Sequence, residues 1–223
     1  MLQEHTMKRI LGIIYHSIVL SIFLTITYYG YLYLYPGEQL NIINLLILCK
    51  YITFITMILI QGYFIASTPL QLCKQYTIHS YFYVLVFTYA GVICSLFYIV
   101  LVIDSTVVTD NKELKSMPLW FNHLCHTIPP FVILLEAFVC QPRLASLRRS
   151  LLVCYIMMLF YNFYMEVSIV AYGFSPYPKL DTINTGYRYM VYLLTWLLVT
   201  VFTYLGYGLV RLVNRWKPIA LLE

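Results

Sequence analysis

A chain of 223 residues that is 61% hydrophobic and only 10% charged carries far less charge than the roughly 25% usual in soluble domains. That excludes an ordinary soluble enzyme, a disordered polymer and a collagen-like chain. The formal charge of +5 comes from Lys and Arg placed singly or in pairs, which also excludes the dense basic patch of a nucleic-acid binder. At about 20 residues per crossing with short connections, the length suits about six membrane helices and leaves almost nothing over. The expected fold is an all-α membrane protein, a bundle of six transmembrane helices forming one domain over residues 1–223.

The first apolar stretch, Leu11 to Tyr33, follows Lys8-Arg9. It is longer than the roughly 7 to 15 residues of a secretory signal core and precedes no small-residue cleavage pattern, so it reads as a retained anchor. Pro36-Gly37-Glu38 ends it. The second stretch, Ile42 to Phe64, runs to Ser67-Thr68-Pro69, and the third, Tyr81 to Ile103, runs to a polar segment from Asp104 to Ser116. The fourth, Leu119 to Val139, stops at Gln141-Pro142-Arg143. The fifth, Leu151 to Tyr172, leads into Ser175-Pro176-Tyr177-Pro178 before the sixth, Tyr189 to Val210. Runs such as Ile42 to Leu48 lack the strict alternation of a membrane barrel strand, so helices are the expected spanning element.

Charge sets the expected orientation. Lys8, Arg9, Lys74, Arg143, Arg148, Arg149, Arg211, Arg215 and Lys217 fall on the side of the termini. The other side holds Lys50, Lys112, Lys115, Lys179 and Arg188 with Glu38, Asp104, Asp110, Glu113 and Asp181. The positive-inside rule then places both termini in the cytosol, in the endoplasmic reticulum or plasma membrane. Cys49, Cys73, Cys94, Cys125, Cys140 and Cys154 lie in or near apolar stretches without a CxxC, and read as small buried hydrophobes rather than a disulfide framework.

The informative residues are polar ones inside these stretches, because a polar or ionisable group in hydrocarbon costs several kcal/mol unless it is paired. They are Lys50, Thr53 and Gln61 on the second stretch, Asn122, His123, His126 and Glu136 on the fourth, and Asn162 and Glu166 on the fifth. Asn122 and His123 stand one turn from His126. Pro129 and Pro130 remove the helical partners of the Cys125 and His126 carbonyls, an irregularity tolerated against protein or a wet cavity. At about 1.5 Å per residue, Thr53 lies about 16 Å from Ile42 and His126 about 10 Å from Leu119, so the two meet at similar depth.

A hydroxyl beside an imidazole is the minimal nucleophile and base for acyl transfer, and Thr53 with His126 fits those roles. The second ring nitrogen needs a partner, for which Asn122 and Glu166 are the candidates; Lys50 or a backbone amide freed by the irregularity at Pro129-Pro130 is the candidate oxyanion donor. The ordinary readings stand beside these: a membrane threonine bonded to its own backbone, His123 and His126 in an interhelical bond, Lys50 snorkelling outward, and Glu136 and Gln61 in structural bonds between helices. HExxH and GxSxG are absent, and His123, Cys125 and His126 splay too far apart for a metal. Haem between two of His16, His79, His123 and His126 is a further alternative.

Lys50-Tyr51-Ile52-Thr53-Phe54 followed by Gln61, then Leu119-Trp120-Phe121-Asn122-His123 with His126-Thr127 and Pro130-Phe131, and later Tyr177-Pro178 with Leu180, resemble the androgen-induced family of multipass membrane proteins. The likeness covers nearly the whole chain in helix number and motif order, and its specific part is the Asn-His-x-x-His-Thr segment. It implies a threonine hydrolase that cleaves esters of fatty acids with hydroxy fatty acids, with Thr53 as nucleophile and His126 as catalytic partner. Two features depart from the family pattern: Thr53 to Gln61 is one residue longer, which brings Thr56 into view as a second hydroxyl, and Pro129-Pro130 replaces a single proline. The expected partners are a lipid ester and the bilayer that supplies it, with no nucleic acid, and the chemistry requires neither metal nor organic cofactor. The alternative class is a non-catalytic lipid-binding or signalling protein in which the same polar groups only fasten helices.

Overall fold

The computed structural model describes residues 2–103, 117–172 and 185–215, and among them every regular element is helical. In chain order these are α1 (Leu2–Leu34), α2 (Ile42–Leu48), α3 (Ile52–Leu72), α4 (Tyr76–Ile103), α5 (Leu119–Cys140), α6 (Leu147–Tyr172) and α7 (Thr185–Arg215). All but α2 are long and apolar enough to span a bilayer, which makes the chain an integral multi-pass membrane protein. Phe160, Phe163, Leu193 and Ile65 are exposed on the outside of the bundle, as side chains facing lipid would be. The segment from Asp104 to Ser116, the turn from Ser175 to Pro178, Leu180 and Lys217 lie outside the described residues.

The second apolar stretch, expected as one helix from Ile42 to Phe64, is two. Asn41 caps α2, its side chain accepting from the Ile43 amide at 2.9 Å. The chain then tightens through Lys50 N–H to Ile47 and Tyr51 N–H to Leu48, and Tyr51 turns extended before α3 starts. A tertiary bond holds this break: the Tyr161 hydroxyl on α6 donates to the Lys50 carbonyl at 3.1 Å. Ahead of α2, the Tyr31 hydroxyl on α1 donates to the Gln39 carbonyl at 2.7 Å. Leu48, Tyr51 and Tyr31 pack into a small core of their own.

α4 lies at the centre, against α3, α5, α6 and α7, while α1 covers α3 and α5. The α4–α7 contact is a reciprocal interlock. A side chain on Gly91 of α4 would run into the Phe202 ring of α7, and one on Gly206 of α7 would meet the Phe87 ring of α4 at 2.8 Å. Small residues therefore let each aromatic ring seat against the opposite backbone, the packing that holds helices together where lipid removes the hydrophobic drive. Thr88 and Thr203 meet at 3.2 Å in the same interface. On the termini side, α3 and α5 end on left-handed residues, Lys74 (φ 57°) and Gln141 (φ 45°).

Candidate functional site

The α2–α3 break moves Thr53 from mid-helix to the first turn of α3, so its depth is not the roughly 16 Å reckoned along a helix begun at Ile42. Tyr51, the N-cap, makes no side-chain capping bond. The first amides of α3 thus carry the partial positive charge of an uncapped helix start, right at Thr53. Thr56, the second hydroxyl of this segment, points elsewhere. It is fully buried and donates to the Ile52 carbonyl at 2.8 Å, the ordinary fate of a threonine in a helix.

From α5, His126 reaches across so that its Nε2 lies 3.0 Å from Thr53 Oγ1. Its Nδ1 lies 2.7 Å from the Asn122 backbone carbonyl one turn earlier. A carbonyl only accepts, so Nδ1 carries the proton; Nε2 of the neutral ring is left with its lone pair, and the Thr53 hydroxyl donates to it. Phe97 of α4 stacks on the imidazole with centroids 4.2 Å apart and planes 13° apart, fixing the ring's tilt. α5 is helical straight through Pro129 and Pro130.

Thr53 and His126 open on a cavity of about 490 Å³, within the roughly 300–1,000 Å³ of small-molecule sites. All six spanning helices line it, each with the part farthest from the chain termini: Ile26 and Gly30 of α1, Met57 of α3, Ile93 and Val100 of α4, Cys125 of α5, Met158 and Met165 of α6, and Leu194 of α7. The wall is mostly apolar. Its polar points include Thr27, Asn122, Asn162, Tyr192 and Thr195, and the Asn162 Oδ1 is buried without a hydrogen-bond partner among the described residues.

The other residues singled out from sequence take different positions. Asn122 does hold the second imidazole nitrogen, but through its main-chain carbonyl. Glu166 does not; it faces Arg188 of α7, Oε1 to Nε at 3.3 Å. Lys50, expected on the same helix as Thr53, does not share one with it, because α3 begins after it; it is buried in the break with its Nζ 5.3 Å from the centre of the Tyr51 ring. His123 borders Phe97 at 5.1 Å and lies 3.4 Å from the Tyr98 hydroxyl, which also meets Thr127 at 2.8 Å. Gln61 ties α3 to α1 through Thr27 at 2.6 Å. Glu136, with His16 and His79, belongs to a separate network near the termini. Sequence reasoning missed Phe97 and the α3 amides. An aromatic stack and a helix start inside an apolar run leave no residue signature.

No curated protein and no solved structure matches the chain. The FAR-17a/AIG1-like protein family model matches residues 10–211, nearly the whole length and including every element of the cavity wall, and the chain therefore belongs to that family, the androgen-induced gene 1 family.

Proposed function

We propose that this protein is an intramembrane ester hydrolase that takes a lipid ester from the bilayer and cleaves it with Thr53 as nucleophile and His126 as general base. The observation that carries the reading is the 3.0 Å Thr53–His126 contact, with the imidazole tautomer fixed by Asn122, at the wall of an apolar cavity. Thr53 Oγ1 attacks the ester carbonyl while its proton passes to Nε2. The oxyanion forms beside the uncapped amides of the first turn of α3, which supply hydrogen bonds and the positive end of the helix dipole. The intermediate collapses as the imidazolium returns the proton to the leaving alcohol. Water then attacks the acyl-threonine, again with His126 as base, and frees the acid and Thr53.

The apolar wall suits acyl chains. With the family membership, it favours fatty acid esters of hydroxy fatty acids, whose hydrolysis releases two acids. The charge bias supports a topology with both termini in the cytosol, in which the cavity faces the lumenal or outer leaflet of the endoplasmic reticulum or plasma membrane.

Hydrolysis of a panel of branched and simple lipid esters by the purified protein tests this. Turnover by the wild type, abolished in Thr53→Ala and His126→Ala proteins that remain folded, is the expected result. Lipid bound stoichiometrically without turnover in any of the three would overturn it in favour of a carrier or signalling role.

A further inference from the structure

The end of the bundle nearest the termini holds a second polar cluster that hydrolysis does not use. Glu136 and Cys140 stand four residues apart on α5 and so project from one face, toward His16 on α1. His16 Nε2 faces Glu136 Oε1 at 3.0 Å, Glu136 Oε2 at 3.2 Å and Cys140 Sγ at 3.0 Å. Two carboxylate oxygens and one sulfur converge on a single ring nitrogen. Convergence of nitrogen, oxygen and sulfur about a common point is what a metal ion organises, and these ligand atoms all lie within 4.8 Å of one another.

Each ligand is also aimed by a partner behind it. His16 Nδ1 lies 2.9 Å from Thr68 Oγ1, so with Nε2 bound to a metal the Nδ1 proton is donated to that hydroxyl. Glu136 Oε1 accepts from the Tyr63 hydroxyl at 2.8 Å, which leaves Oε2 for the metal. Tyr63 is in turn 3.0 Å from His79 Nε2, and Ser67 2.9 Å from it, so the outer ring is itself fixed.

Charge arithmetic favours a dication. Neutral imidazole, carboxylate, thiolate and a dication sum to zero, and a net-neutral set is the one a low-dielectric interior tolerates. Cys140 is the last residue of α5 and half-buried, so the cluster reaches the aqueous end of the bundle, which provides an entry path and a water for the fourth position.

We propose that His16, Glu136 and Cys140 bind a zinc ion that fastens α1 to α5 at the termini end of the bundle, the mixed nitrogen, oxygen and thiolate set being one that zinc accepts. The site is separate from Thr53 and His126, at the opposite end of the helices, and stands whether or not the protein is a hydrolase.

The test uses the full-length protein purified in detergent from zinc-supplemented cells. Elemental analysis is expected to find about one zinc per chain. After chelation, titration with cobalt is expected to give the d–d bands of a tetrahedral ion and a near-ultraviolet thiolate charge-transfer band. The band is expected to vanish in Cys140→Ser and to persist in Cys73→Ala, which removes an exposed thiol outside the cluster. His16→Gln is expected to lower zinc content at least tenfold. Wild-type protein with no zinc and no cobalt bands would overturn the proposal, as would a band that survives Cys140→Ser. The wild-type titration decides the matter even where a variant does not fold.

Discussion

Replacing His16 with leucine isolates a carboxylate that has no solvent exposure, since Glu136 is 0% exposed and its imidazole partner lies 3.0 Å away. The Tyr63 hydroxyl at 2.8 Å and the Cys140 thiol remain beside it, but neutral hydrogen bonds do not compensate a carboxylate in hydrocarbon. Breaking a buried pair by removing one partner costs about 3–5 kcal/mol, and that is the expected loss for His16→Leu. Glu136→Leu removes the charge itself. It leaves His16 with its Nδ1 on Thr68, and leaves Tyr63 with His79, so the expected loss is about 1–3 kcal/mol. The double substitution His16→Leu with Glu136→Leu should then be more stable than His16→Leu alone, which requires a coupling larger than the Glu136→Leu loss itself, about 3 kcal/mol or more. Equilibrium unfolding of the chelator-treated full-length protein in mixed micelles measures all three against the wild type without any contribution from bound metal. Single-variant losses that simply add, or a His16→Leu protein within about 1 kcal/mol of the wild type, would refute the claim that the buried Glu136 carboxyl depends on His16.

Three further predictions concern the cavity end and the core. Thr56→Ala should leave ester turnover and active-site labelling near wild type, because its hydroxyl is back-bonded and away from the cavity; loss of labelling would make Thr56 the nucleophile instead. Tyr161→Phe removes the hydroxyl that holds the Lys50 carbonyl and loosens the break that presents Thr53; turnover should fall on the order of tenfold while stability falls only about 1 kcal/mol, and unchanged turnover would show that the break needs no tether. Gly91→Leu drives a side chain into the Phe202 ring and should destabilise by about 1–3 kcal/mol or more, with partial recovery in the Gly91→Leu, Phe202→Ala double variant; additive losses would argue against the interlock.

The spanning helices were legible because each is a long apolar run bounded by polar or Pro-containing segments, and hydropathy reads both. The break between α2 and α3 was not. Leu48 to Ile52 contains neither glycine nor proline, and the features that stabilise it are the hydroxyl of Tyr161 and the packing of Tyr31 against Leu48 and Tyr51, contributed by distant helices. Lys50 was its one local trace, a charge in the middle of an apolar run, and it invited a reading as a helical neighbour of Thr53 rather than as a break.

His126 stood out because an imidazole in hydrocarbon needs a reason, yet its surroundings did not. The group on Nδ1 is a backbone carbonyl, which every residue possesses, and the ring stacked on it is one of 13 phenylalanines. Glu136 was recognised as an interhelical group, but its partner His16 is 120 residues away and the geometry joining them to Cys140 exists only once α1 lies against α5. Gly91 and Gly206 carry no pattern between them in sequence; only the α4–α7 crossing reveals that each makes room for the other helix's ring.

Covalent labelling with a fluorophosphonate probe followed by mass-spectrometric mapping of the modified residue tests the assignment of the nucleophile most directly. The adduct is expected on the peptide containing Thr53, absent in Thr53→Ala and reduced at least about a thousandfold in rate in His126→Ala, since nucleophile and base act as one unit. An adduct on any other residue, or labelling that proceeds at the wild-type rate without His126, would contradict it.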